Sequence, residues 1–233
     1  MCLLTCGVFL QNSTEAKVTD TGQICQWEDS KIAIEHSTIS TGNLHEPKGV
    51  ASATADQVYV ADGAGSGSWK TPYATGVEDY NDLSSPTLTP ATGVAEKVLN
   101  DGNGSFTNKT YKIPAYPDIW NTSTNQFDFS HLDLGDSVDI RFDFIVTTSG
   151  ANDDVSIIFR PGVGASPYDL LVKRLEWRDA GTYQFTAWYS VYMGDTNTRD
   201  NPAEVYILCG TNADSIDTNG WYVRTNKRTP EYI

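Results

Sequence analysis

Apolar and polar residues alternate most clearly in the second half of the chain. From Val138 to Phe144 every second residue is apolar, and the residues between them are Asp139, Arg141 and Asp143. A period of two predicts a β-strand with one buried and one solvated face, as in an antiparallel sheet. Further strand-like segments follow at 155–159, 170–172, 183–191, 205–208 and 221–223. Turn-forming pairs separate the segments, namely Pro161-Gly162, Ala180-Gly181, Gly194-Asp195, Asn201-Pro202 and Asn219-Gly220. This spacing predicts an all-β chain that ends in an antiparallel β-sandwich (jelly roll) over residues 96–233.

A second patterned stretch, residues 45–69, reads HEPKGVASATADQVYVADGAGSGSW. Val58 to Val60 predict a short strand, and Asp62-Gly63 is a hairpin signal. Glycine then alternates with alanine and serine up to Trp69, a pattern that indicates a bulge or a close approach of backbones. A flexible Gly/Ser loop is the alternative interpretation of the same composition.

This stretch resembles a segment of virion proteins of tailed bacteriophages, especially trimeric fibres and head-decoration proteins. The resemblance covers about the first third of the chain. It implies a homotrimer in which residues 45–69 interleave three chains. The residues assigned to this trimer interface are His45, Pro47, Lys48, Gly49, Tyr59, Asp62, Gly63, Gly65, Gly67 and Trp69. A second similarity rests on Leu134-Gly135-Asp136 before the alternating strand, on Gly194-Asp195 followed by Asn201-Pro202-Ala203, and on Asn219-Gly220-Trp221-Tyr222. On these marks the C-terminal half is similar to the compact jelly rolls that trimerise in phage fibres and decoration spikes.

The N-terminal 44 residues are expected to attach the protein to its particle. Residues 1–11 are apolar and contain no basic residue before Leu3, so they predict neither a signal peptide nor a membrane span. We expect this segment to dock into another protein or into the other chains of a trimer. The candidate anchor residues are Leu3, Leu4, Val8, Phe9 and Leu10. The predicted organisation is an anchor region (1–44), a trimerising β segment with a linker (45–95) and the jelly roll (96–233).

The net charge limits the classes of partner, and the cysteine content limits the metal sites and disulfides, that the chain is expected to have. The formal net charge of −14 argues against nucleic acid and against anionic membranes as partners. Four cysteines without a CxxC pair predict free, mostly buried thiols and no zinc site, and we expect no cofactor.

Two groups of oxygen-bearing residues are candidate sites. The carboxylates from Asp128 to Asp143, around His131, predict a solvated strand face better than a catalytic pair. The loop from Asp195 to Asp200 offers oxygen ligands, but a hydrogen-bonded turn is the simpler interpretation than a calcium site. No catalytic residue or metal ligand is therefore assigned, and the chain is not expected to be an enzyme.

These observations predict a structural protein on the outer surface of a phage particle, synthesised in the host cytoplasm. It would be a capsid decoration (cement) or head-fibre trimer, docked on the major capsid protein or on another virion protein. The alternative is a short tail fibre or receptor-binding protein that recognises a host surface glycan. In that alternative, solvent-facing aromatic residues such as Trp188 or Trp177 would stack on sugar rings.

Overall fold

The computed structural model describes residues 53–64, 66–150, 153–210 and 214–233, together with the backbone of two short strands nearer the N-terminus. The chain divides into two compact units. The first comprises Met1–Ala55 and Tyr59–Trp69, and the second comprises Asp56–Val58 and Lys70–Ile233.

The strands near the N-terminus form two small sheets. Strand β1 (Glu15–Lys17) pairs antiparallel with β2 (Ile24–Gln26). Strands β3 (Val58–Ala61) and β4 (Gly67–Lys70) form a hairpin, which we call the 58–70 hairpin. The predicted strand at Val58 to Val60 is thus present.

The second unit is an antiparallel β-sandwich, and the all-β prediction is confirmed. Sheet I has the strand order β11-β10-β13-β6, and sheet II has the order β12-β9-β14-β5. The strands of sheet I are β6 (Glu96–Lys97), β10 (Asp153–Arg160), β11 (Leu170–Trp177) and β13 (Glu204–Cys209). Those of sheet II are β5 (Pro72–Asn81), β9 (Ser137–Thr148), β12 (Gly181–Tyr192) and β14 (Ser215–Tyr232). A small pair, β7 (Trp120–Asn121) with β8 (Gln126–Phe127), and a short helix, α1 (Thr196–Asp200), complete the unit.

The core lies between the two sheets and is rich in aromatic rings. On β9, Phe142 and Phe144 point inward and are buried, whereas Arg141 and Asp143 point outward, as the alternation predicts. Trp221 of β14 packs edge-on against both phenylalanines, with ring centres 5.3 and 5.6 Å apart. Burying such rings supplies much of the hydrophobic stabilisation of the sandwich.

Strand β5 lies in residues that the sequence assigned to the linker. Its proline stands at the first position of an edge strand, where a missing N–H is tolerated. Gly76 lies so close to the chain at Ile113 that an added Cβ would be 2.7 Å from the Ile113 nitrogen. Residues 104–111 cover the outer edge of β5, with backbone hydrogen bonds of 2.8 and 3.0 Å between Asp79 and Asn108. Pro72 and Gly76, which usually interrupt strands, are therefore both accommodated in β5.

Strand β14 is also longer than predicted, because Asn219-Gly220 is not a turn. The register with β9 shifts between Thr218 and Gly220, which is a β-bulge. Gly220 has a φ of +127°, and an added Cβ would lie 2.2 Å from the carbonyl oxygen of Tyr80. The bulge lets the strand continue along the sheet and shapes the surface described next.

Candidate functional site

A row of large side chains crosses the outer face of sheet II at right angles to its strands. The strand register places Trp188 of β12 opposite Arg141 of β9, Arg141 opposite Tyr222 of β14, and Tyr222 opposite Asp79 of β5. Residues opposite one another on neighbouring strands point to the same face. The row therefore extends across all four strands of sheet II.

Trp188, Arg141 and Tyr222 pack against one another in this row. The guanidinium carbon of Arg141 lies 5.3 Å from the Tyr222 ring centre and 6.0 Å from the Trp188 ring centre. The two rings are 6.0 Å apart in an edge-to-face arrangement. Contacts of this kind with a cation restrict the side chains. Trp188 remains 57% exposed, so an indole surface held by its neighbours faces solvent.

A cleft of about 520 Å³ adjoins this row on the same face. Gly220, at the bulge in β14, is among the residues that line it. Phe106, on the segment that covers β5, lines it and is 76% exposed. The polar residues that line it are Asp79, Asn81, Arg141, Asp143, Gln184, Thr186 and Asn219.

The polar groups of the cleft fall into two sets. Asp143 is already bound, because Arg141 donates to its Oδ2 and Thr186 donates to its Oδ1, each at 2.7 Å. In contrast, the side chains of Asp79, Gln184 and Asn219 make no hydrogen bond to any described residue. Burial raises the pKa of the Asp79 carboxyl above its ordinary value, while the charge of Arg141 opposes the shift and that of Asp143 adds to it. The cleft thus presents a carboxyl and two amides whose hydrogen-bonding capacity is unused.

Such a surface can bind a ligand through stacking and hydrogen bonds. Exposed rings stack on flat, weakly polar ligand faces, and amide and carboxyl groups bind hydroxyls in either direction. A concave site with aromatic walls and a few unpaired polar groups is typical of small-ligand binding sites.

Trp177 does not share this exposure. It is partly buried against the core and stacks on Tyr183, with ring centres 5.5 Å apart. The expectation that Trp177 faces solvent is therefore not met, whereas Trp188 does face solvent.

The carboxylates around His131 do not form a catalytic pair with it. Asp139 is outward-facing and is bound by Arg224 at 2.9 Å, while Asp136 is buried beside Lys227 at 3.0 Å. His131 packs edge-on against Tyr116, and burial lowers the pKa of its imidazole.

The loop after Gly194 uses its oxygen atoms within the fold. Asp195 caps α1 by accepting from the Thr198 backbone N–H at 2.8 Å, and Asp200 pairs with Arg199 at 2.6 Å. Among the described residues, no group of three or more histidine, cysteine or acidic side chains is placed to hold a metal ion.

The described residues of the predicted trimer motif lie in the 58–70 hairpin. Tyr59 and Trp69 pack edge to face with ring centres 5.4 Å apart. An added Cβ at Gly67 would lie 2.4 Å from the Val60 oxygen and 2.7 Å from the Tyr59 ring. Asp62 accepts hydrogen bonds from the backbone N–H groups of residues 64 and 66, and Gly63 has a φ of +76° in the turn. The close approach expected of the glycine pattern is thus found at Gly67 within one chain.

Several predicted residues lie outside the described part of the chain. They are His45, Pro47, Lys48, Gly49 and Gly65 of the trimer motif, and the anchor residues Leu3, Leu4, Val8, Phe9 and Leu10. In the described part, no helix is long and apolar enough to cross a membrane.

The sequence did not identify Arg141, Tyr222, Asp79, Gln184 and Phe106 as parts of one surface. Alternation along β9 predicted that Arg141 points outward, but a single strand does not reveal its neighbours. The row depends on the pairing of four strands that are distant in sequence. The cleft likewise takes its lining from β5, β9, β12 and β14 and from the segment that carries Phe106.

Comparison with known proteins adds little to this geometry. No protein-family model matches the sequence, and no curated protein matches it either. Among solved structures, the CBM22-1 xylan-binding domain from Paenibacillus barcinonensis Xyn10C is 11% identical, with 66% of this chain and 94% of that chain covered and a TM-score of 0.34. The xylan-binding module CBM15 is 16% identical, with 73% and 98% covered and a TM-score of 0.31. At these scores neither likeness bears on the ligand, and the assignment of function rests on the side chains of this chain.

Proposed function

We propose that the β-sandwich is a non-catalytic carbohydrate-binding domain, and that the outer face of sheet II is its binding surface. The observation that carries this proposal is the exposed Trp188 ring, held by Arg141 and Tyr222, beside a cleft with unused hydrogen-bonding groups. Sugars present both an apolar ring face and many hydroxyls, so they need this combination of aromatic and polar side chains.

The cleft is proposed to bind rather than to cleave. Glycoside hydrolysis requires two facing carboxyl groups, one protonated and one free to act as nucleophile or base. Asp79 and Asp143 both line the cleft, but the two oxygens of Asp143 already accept hydrogen bonds from Arg141 and Thr186. Both oxygens of Asp143 therefore have partners within the fold, which supports a structural role for this carboxylate and binding without turnover.

A glycan array probed with the full chain tests the proposal. We expect binding to one or more glycans that Trp188→Ala reduces at least roughly tenfold, because the change removes the exposed stacking surface. Leu171→Ala is the matched control: Leu171 is similarly exposed, but it lies on β11 of sheet I. Absence of binding to any glycan, or equal loss in both variants, would contradict the proposal. Release of reducing ends from a bound polysaccharide would contradict its non-catalytic part.

For the biological role of the chain, we propose that it is a bacteriophage virion protein that acts as a homotrimer. The resemblance of residues 45–69 to phage fibre and decoration proteins supports this role. A binding face on the sandwich favours the receptor-binding alternative, in which a short tail fibre recognises a host surface glycan. The capsid decoration or head-fibre role, which the sequence alone favours, is the second candidate here, and the same resemblance supports it.

Two measurements test the virion proposal. Light scattering of the purified chain should give the mass of three chains, and a monomeric mass with a folded spectrum would contradict the homotrimer. Mass spectrometry of separated heads and tails should find the protein in the tail fraction if it binds receptor. Its presence only in the head fraction would support the decoration role instead.

A further inference from the structure

We infer that the ligand is a neutral oligosaccharide of several units, which lies across the strands of sheet II from Trp188 towards Phe106. This inference rests on the proposed carbohydrate-binding function and specifies its ligand class. Two independent features of the face carry it, namely the length of the path between its exposed rings and the sign of the charge along that path.

The path between the two exposed rings is longer than one sugar ring. Trp188 lies on β12, at one edge of sheet II, and Phe106 lies beyond β5, at the other edge. Three spacings between neighbouring strands, each about 4.8 Å, separate the two edges by roughly 14 Å. The cleft on this face also takes polar groups from β12, β14 and β5, in the form of Gln184, Asn219 and Asp79. Contacts spread over this distance are satisfied together only by a chain of linked sugars.

The charge along the path is negative. The cleft is lined by two carboxyl groups, Asp79 and Asp143, and by one cation, Arg141. Arg141 donates to Asp143 at 2.7 Å and lies against two rings, so its charge is already matched. Nearby on the same face, Arg224 is paired with Asp139 at 2.9 Å. The carboxyl of Asp79 is left without a cation of its own, and the net charge of −14 on the whole chain further repels polyanions.

Opposite consequences follow for neutral and acidic sugars. The Asp79 carboxylate accepts hydrogen bonds from the hydroxyls of a neutral sugar. It repels the carboxylate of a uronic acid or the sulfate of a sulfated sugar, since like charges placed together disfavour binding. The face should therefore discriminate between glycans of the same shape that differ only in charge.

Calorimetry with oligomers of increasing length tests the path. Neutral oligomers of galactose, glucose, mannose and N-acetylglucosamine, from one to about six units, are titrated into the full chain. Affinity should rise at least roughly tenfold between the monosaccharide and the longer oligomers of the series that binds, and then level off. Trp188→Ala and Phe106→Ala should each lower the affinity for long oligomers, while Leu171→Ala should not. A monosaccharide that binds as tightly as its hexamer would overturn the across-strand arrangement.

A matched pair of ligands tests the charge. Galacto-oligosaccharides and oligogalacturonates differ at the C6 group, which is a hydroxymethyl in one and a carboxylate in the other. The same comparison is made between each neutral oligomer that binds and its uronate. We expect the uronate to bind at least roughly tenfold more weakly at low salt, and the gap to narrow as salt screens the repulsion. Asp79→Asn keeps the side-chain shape, removes the charge and should narrow the gap between the neutral oligomer and its uronate at low salt.

The outcomes separate this inference from the proposed function. Tighter binding of the uronate than of its neutral partner would overturn the inference and leave carbohydrate binding intact. A gap that Asp79→Asn leaves unchanged would overturn the role given to Asp79. Failure of every neutral and acidic oligomer to bind would overturn both the inference and the proposed function.

Discussion

The buried lysine of β14 gives the sharpest prediction about the sandwich. Only 1% of the Lys227 side chain is exposed, and its ammonium group lies 3.0 Å from Asp136 and 2.9 Å from Asp133. It also donates to the Tyr116 hydroxyl at 2.5 Å. Burial alone lowers the pKa of Lys227, but the hydrogen bonds to Tyr116, Asp133 and Asp136 outweigh it and raise that pKa above its ordinary value. The lysine is therefore charged in the folded protein at neutral pH.

Lys227→Met would fill the space and remove the charge. The side chain of Asp136 is 0% exposed, so its carboxylate would be left buried without a cation. Breaking a buried ion pair in this way costs about 3–5 kcal/mol of unfolding free energy. For a unit of this size, about 2–4 °C per kcal/mol places the loss in melting temperature at roughly 6–20 °C.

Urea unfolding followed by tryptophan fluorescence measures this loss. Arg224→Met is the matched control, because Arg224 forms an ion pair of the same 2.9 Å length on β14 but its side chain is 53% exposed. An exposed pair contributes about 0–1 kcal/mol, so this control should unfold almost as the parent does. Adding Asp136→Asn to Lys227→Met should recover part of the loss, since it removes the stranded charge and keeps an oxygen acceptor for one of the two backbone N–H groups, those of Asp133 and Arg228, that donate to Asp136. If Lys227→Met unfolds at the same urea concentration as the parent, the reasoning about this pair is wrong.

Three further predictions concern the core, the bulge and the hairpin. Burial raises the pKa of Glu78 above its unfolded value, so the folded protein favours the protonated form, and the stability this gives is lost as the pH rises through the folded pKa. Glu78→Gln should therefore raise the urea midpoint relative to the parent at pH 7 but not at about pH 4; an equal change at both would refute this. Gly220→Ala should lower the free energy of unfolding by about 1–3 kcal/mol or more, because the new Cβ would clash with the backbone of β5. The control is Gly164→Ala, at a glycine that also has a positive φ but has no atom within 4 Å of the new Cβ, and it should lower the free energy of unfolding less. Equal urea midpoints for the two variants would refute the clash. Trp69→Ala removes the edge-to-face contact with Tyr59 and should lower the melting temperature, and lower it more in dilute protein if unfolding is linked to dissociation; an unchanged melting curve at every concentration would favour the flexible-loop interpretation.

The sequence determined the class of the fold because strand periodicity is local. Alternation from Val138 to Phe144 was enough to place β9, to predict which of its side chains are buried and to expect antiparallel pairing. Each of these features depends on residues within a few positions of one another, so one strand carries the whole signal.

Only the tertiary structure decided where the candidate site lies. Trp188, Arg141, Tyr222 and Asp79 lie on four strands, and their order across sheet II follows from pairings between distant parts of the chain. The strand β5 was hidden in the sequence by Pro72 and Gly76, since a proline at the start of an edge strand and a glycine under a crossing segment look like loop residues when read locally. Asn219-Gly220 is a second example, since this pair usually marks a turn but forms a β-bulge here. Glycine is needed at position 220 because φ is positive and the backbone of β5 lies too close for any side chain.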